Sequence, residues 1–61
     1  MAWIARTKYG FLNIYENCPE KRDDGLWKPE PYDSWYLNLP TDADEKLIGR
    51  HLSWEDEPVE I

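Results

Sequence analysis

Apolar and polar residues alternate in short runs along this chain, and glycine and proline break the runs apart. "AWIART" and "FLNIYEN" are two β-compatible stretches separated by "KYG", which predicts a hairpin. Gly10 falls where a three-residue loop closes with a left-handed residue and a bulge. In the second stretch Leu12 and Ile14 share one face, which the alternation assigns to the core. Phe11, Asn13 and Tyr15 share the other, with Tyr15 half covered. "CPEKRDDG" is a charged loop: Pro19 has no N–H to give a ladder, and Asp24-Gly25 signals a turn. "LWK" leaves room for a short third strand, which Pro29 and Pro31 end by forcing extended backbone.

"SWYLNLP" alternates most strictly. Trp35, Leu37 and Leu39 lie on one face, expected to be buried, and Tyr36 and Asn38 on the other. Pro40 stops the run. "TDADEKLIG" then reads as one or two helical turns over residues 41–48. Thr41 or Asp42 caps it, acids fill its first turn, Gly49 ends it, and Leu47 and Ile48 tether it to the sheet. In the closing "SWEDEPVEI", Val59 and Ile61 alternate with Glu60, and Pro58 restricts the strand to an edge or to its first residue. Trp54 is too costly to leave in water, so the segment is expected to close the fold with Glu55, Asp56, Glu57 and Glu60 facing outward. Residues 18–24 and 29–33 are expected to be the mobile parts.

The expected fold is therefore one small, mainly β domain over residues 1–61. It is an antiparallel meander of three to five strands with a short helix or helical turn near 41–48, and curling toward a barrel is one form it can take. A chain of 61 residues buries only about 60% of its unfolded surface. Domains of this size usually lean on staples. One Cys and one His provide neither an internal disulfide nor a Cys/His zinc site within the chain. Of the four Trp, four Tyr and one Phe, a few are expected to form the core instead, with aliphatics filling between them, each ring removing roughly 150–250 Å² from water when buried. No cofactor is expected.

The formal charge is −6, carried wholly by the second half of the chain. Phosphate binding needs clustered Lys and Arg, so a nucleic-acid partner is not expected. Neither is a membrane partner, since no run approaches the ~18 apolar residues of a span and no signal-peptide core opens the chain. An unpaired cysteine suits a reducing compartment, and the cytoplasm is the expected location.

"WIARTKYGFLNIYENCPEK" resembles the opening of short uncharacterised proteins of phages, prophages and gut-type bacteria, close to W-I-A-R-D-x-D-G-x-L-x-L-[FY]-E-x-K-P. Trp3, Ile4, Ala5, Arg6, Gly10, Leu12, Ile14, Tyr15, Glu16 and Pro19 fit as they stand. The same proteins often end on W-E-[DN]-[ES]-P-x-[EK]-[VI], which Trp54, Glu55, Asp56, Glu57, Pro58, Val59 and Glu60 match. Thr7 and Tyr9 replace the aspartates usual in the first turn. The resemblance covers both ends, a little under half the chain. It implies a compact fold of phage or mobile-element origin and no particular activity.

Candidate chemistry is sparse. Asp42, Asp44 and Glu45 fail the EF-hand pattern, with Leu47 where glycine belongs and Ser53 where the closing Glu belongs; a helix start explains them better. Cys18 and His51 lack an orienting group and an oxyanion site. The pairs Glu16/Glu20 and Glu55/Glu57 read as solvated charge. Trp27, Tyr32 and Tyr36 are the strongest candidates, as an exposed aromatic patch of the kind enriched at protein contacts. The sequence thus points away from an enzyme and toward a protein-binding adaptor whose partner is another protein or a second copy. The alternative is an acidic decoy that imitates nucleic-acid charge through Glu55, Asp56, Glu57 and Glu60 and blocks a DNA-binding protein.

Overall fold

The computed structural model describes residues 2–61. Six short strands and one helix follow in order: β1 Trp3–Arg6, β2 Leu12–Tyr15, β3 Glu20–Lys21, β4 Trp27–Lys28, β5 Tyr36–Leu39, α1 Ala43–Ile48 and β6 Val59–Glu60. The main sheet is antiparallel in the order β5-β2-β1-β6, and β3-β4 forms a separate two-stranded ribbon. The fold is mainly β with one short helix, and the sheet is open.

The first hairpin closes as its residues require. The Thr7 N–H donates to the Phe11 carbonyl at 2.8 Å, the Gly10 N–H to the Thr7 carbonyl at 3.1 Å, and Gly10 sits at φ +93°. The three-residue loop with a left-handed closing glycine is thus present, and the Thr7 hydroxyl supports it by accepting from the Tyr9 and Phe11 amides.

Alternation along β1 and β2 divides the core in two, because the sheet is covered on both faces. On one face Ile4, Leu12 and Leu52 are fully buried, with Ile14, Leu39, Ala43, Ile48 and Val59 packed around them. On the other, Ala5, Tyr15 and Trp27 are buried beneath Trp3 and Trp54. Tyr15 is therefore fully covered rather than half covered: the ribbon lies over its face, and Tyr36 stacks on it at 5.6 Å.

Four further expectations are corrected. The charged loop over 18–24 contains β3, whose Glu20 and Lys21 both face solvent and so leave no apolar signature. Trp35 and Leu37 are 48% and 63% exposed, although Leu37 does lie beside Ile14 in the register. β5 is the outermost strand, and among its apolar residues it is Leu39, opposite Leu12, that joins the core. Leu47 is exposed, leaving Ile48 and Ala43 to dock α1. Asp42 occupies the N-cap without a side-chain cap bond, whereas Gly49 ends the helix in the left-handed conformation at φ +73°.

The closing segment is ordered. Val59 pairs with Ile4, Glu60 with Trp3, and the Ile61 N–H donates to the Ala2 carbonyl at 2.9 Å. Trp54 meets Trp27 edge-on at 5.5 Å, and the Lys21 ammonium lies 4.2 Å from the Trp54 ring centroid. Such a cation over an indole contributes about 0.5–1 kcal/mol at an exposed site. Pro58 stands immediately before the edge strand, where a missing N–H costs nothing.

Candidate functional site

Two arrangements stand out, one interior and one on the surface. The interior one is built from Arg6 and Asp44. Arg6 ends β1 on the helix-covered face, and its guanidinium donates to Asp44 Oδ2 at 2.5 Å, to the Leu52 carbonyl at 2.7 Å and to the Gly10 carbonyl at 2.9 Å. Asp44, only 1% exposed, accepts from the Leu52 N–H at 2.7 Å and the Glu45 N–H at 2.8 Å. His51 Nδ1 approaches the same carboxylate at 3.2 Å from an exposed position. Burial pushes the Asp44 carboxyl up, but the Leu52 amide, Arg6 and the Glu45 amide outweigh it and hold the group below the usual carboxylate range. Trp27 completes the arrangement by donating its indole N–H to the Arg6 carbonyl at 2.7 Å. That carbonyl lies beyond the end of β6, where no strand can reach it. The groups are each satisfied, which is what buried charge demands.

The surface arrangement is β5. The Glu16 N–H donates to the Trp35 carbonyl at 3.0 Å. With Tyr15 opposite Tyr36 and Ile14 opposite Leu37, antiparallel alternation turns the backbone groups of Trp35, Leu37 and Leu39 toward β2. Those of Tyr36 and Asn38 point away from the sheet. Residues 34–40 carry no acidic or basic side chain, and Trp35, Tyr36 and Leu37 are each about half exposed or more. The two edges of the main sheet differ in kind. β6 is two residues long, follows Pro58 and carries Glu60, all devices that blunt an edge. β5 has none of them along its four residues.

The aromatic patch predicted from sequence is taken apart. Trp27 is 8% exposed and belongs to the core. Tyr32, 85% exposed, lies in the turn before β5, and Tyr36 stands on β5 itself. Sequence reasoning missed Trp35 and Leu37 as surface residues. The absence of charge over 34–40 was the available signal, since edges normally carry some.

The acids of the closing segment are not one uniform face. Glu55, Glu57 and Glu60 are exposed. Asp56 turns back instead, accepting from the Ser53 N–H at 2.9 Å and its hydroxyl at 3.2 Å, and pairing with Arg50 at 3.5 Å. The Ser53 amide is the main reason its carboxyl is held low. Cys18 and His51 do not form a pair: His51 faces Asp44, while partial covering and the charges of Glu57 and Glu60 push the Cys18 thiol up. A raised thiol is a poor nucleophile. Asp44 points inward, away from any shared ligand with Asp42 and Glu45. No helix among the described residues is long and apolar enough to cross a membrane.

Comparison with protein-family models, curated proteins and solved structures finds no match to this chain.

Proposed function

We propose that this chain is a small protein-binding adaptor, not an enzyme, and that it takes an extended segment of a partner protein as an added strand on β5. One observation carries the reading: β5 is an uncharged edge with outward backbone groups at Tyr36 and Asn38 and exposed side chains on both faces, while the opposite edge is blunted. Strand addition uses these two parts separately, main-chain bonds for affinity and alternate side chains for selection. A phage or mobile-element origin belongs to the same proposal. It rests on the resemblance of the two end segments, which lie side by side as β1 and β6. The cytoplasm is the proposed place of action, on the strength of the single unpaired cysteine.

The acidic-decoy reading keeps Glu55, Glu57 and Glu60 exposed but loses Asp56, which is tied to Ser53 and Arg50. The two readings differ in salt dependence. Immobilised protein is incubated with bacterial lysate at low and high salt, and captured proteins are identified. The adaptor reading expects capture that survives high salt and is lost in Leu37→Ser or Trp35→Ser. Capture that vanishes with salt and ignores both substitutions would support the decoy.

A further inference from the structure

We infer that a second copy of this chain closes the β5 edge, with the two β5 strands pairing antiparallel about a two-fold axis at Leu37. This rests on the β5 edge being the contact surface, and it names an occupant for that surface when no other partner is present.

The pairing follows from which backbone groups are left over. Only Tyr36 and Asn38 point outward along β5. Placing Tyr36 of one copy opposite Asn38 of the other makes each such pair a hydrogen-bonded one, and the two-fold axis produces it twice. Leu37 then faces Leu37 across the axis as a non-hydrogen-bonded pair, the closer kind, at about 4.5 Å between Cα atoms. On the same face Trp35 of each copy lies opposite Leu39 of the other. The exposed row Trp35–Leu37 and the end of the helix-covered core thus become one apolar strip across the axis. Tyr36 and Asn38 meet on the other face without opposing charge.

Charge argues for this place over the rest of the surface. Two chains of −6 each repel. Residues 34–40 form a stretch with neither acids nor bases, long enough for a strand, so like charges do not stand directly opposite one another there. A contact through β6 would bring Glu60 of both copies to one edge. The four-residue β5 makes a small interface, so the association is weak and concentration-dependent, and a heterologous strand competes for the same edge.

Sedimentation across a dilution series tests it. The mass of the wild-type chain should rise from 7.3 kDa toward twice that value with concentration. Leu37→Lys, folded by circular dichroism, should stay at the single-chain mass throughout. In a Cys18→Ser background, air oxidation should link Leu37→Cys into a disulfide dimer, because the expected spacing suits a disulfide. Tyr36→Cys should not link, since its symmetry mate is offset by two positions. A wild-type mass that never rises, a Leu37→Lys variant that still dimerises, or equal linkage of both cysteine variants would overturn the inference. A single chain that is still captured by a host protein through Leu37 keeps the contact surface and removes the second copy. Self-association through Leu37 with no host protein captured keeps the second copy and removes the adaptor.

Discussion

Arg6 and Asp44, 38 positions apart in the chain, hold the backbone of Leu52 between them. Arg6 donates to its carbonyl, Asp44 accepts from its amide, and the two side chains bond each other. β1, α1 and the residue just before the closing segment are thereby joined at one point, and the Leu52 side chain is set into the core beside Ile4 and Leu12.

Removing one partner leaves the other charge buried without compensation, which costs about 3–5 kcal/mol. Asp44→Ala should therefore remove a large share of the stability, since a small domain has only about 5–15 kcal/mol to lose, and lower the melting temperature steeply. A thermal melt followed by circular dichroism reads this directly. His51→Ala should melt close to the parent, because the imidazole is largely exposed.

The same carboxylate sets an acid dependence. Asp44 and Asp56 are both held below the ordinary carboxylate range in the fold. Their contribution is complete above the unfolded-state pKa and disappears as pH falls through the folded one. The melting temperature should accordingly drop as pH is lowered below about 4. Asp44→Asn should start from a lower value and show a shallower fall.

Two glycines separate backbone cost from steric cost. Gly10, at φ +93°, has open space where a Cβ would go, so Gly10→Ala and Gly10→Val pay only for the left-handed backbone, about 1 kcal/mol or more. At Gly25, φ +90°, a Cβ would come within 3.0 Å of Lys8 Cβ and Tyr9 Cε2. Gly25→Ala should lower the melting temperature further than Gly10→Ala. The reverse order would contradict the packing of the first hairpin's loop on the ribbon's turn.

Strand order is tested by two leucines that the sequence pattern treats alike. Leu12→Ala removes a fully buried side chain and should cost about 2–5 kcal/mol. Leu37→Ala removes a mostly exposed one and should stay within about 0.5 kcal/mol of the parent.

That contrast also shows what a single sequence can disclose. The period-two pattern marks β2, β5 and β6, short β-compatible runs mark β1 and β4, the turn chemistry at Gly10 is readable, and Gly49 is recognisable as a stop, because each depends on neighbours within a few residues. Whether a strand is central or at an edge depends on the rest of the sheet, so Leu37 and Trp35 looked like core. β3 has no apolar residue to reveal it. Asp44 resembled any acid in a first helical turn, since its partner Arg6 lies in another strand. Trp27 reads as a surface residue because nothing local shows that the ribbon folds back over Tyr15.

Truncation after Leu52 removes Trp54 from the ribbon-covered face and Val59 from its pairing with Ile4. Both are partly buried, so their loss forfeits part of the about 3–5 kcal/mol of a core Trp and of the about 1.5–3 of a fully buried aliphatic, together with the β1–β6 pairing. The shortened chain should be unfolded or aggregated by circular dichroism and light scattering. Replacing Glu55, Glu57 and Glu60 with Gln should leave the melt nearly unchanged, because exposed acids contribute little.

Strand addition on β5 has a signature at single amides. Residue-resolved hydrogen exchange, with and without the bound partner, should show the Tyr36 and Asn38 amides becoming protected on binding. The Leu37 amide, already directed at β2, should hardly change. Protection confined to residues 55–60, with Tyr36 and Asn38 exchanging as before, would contradict the account and place the contact on the acidic closing segment.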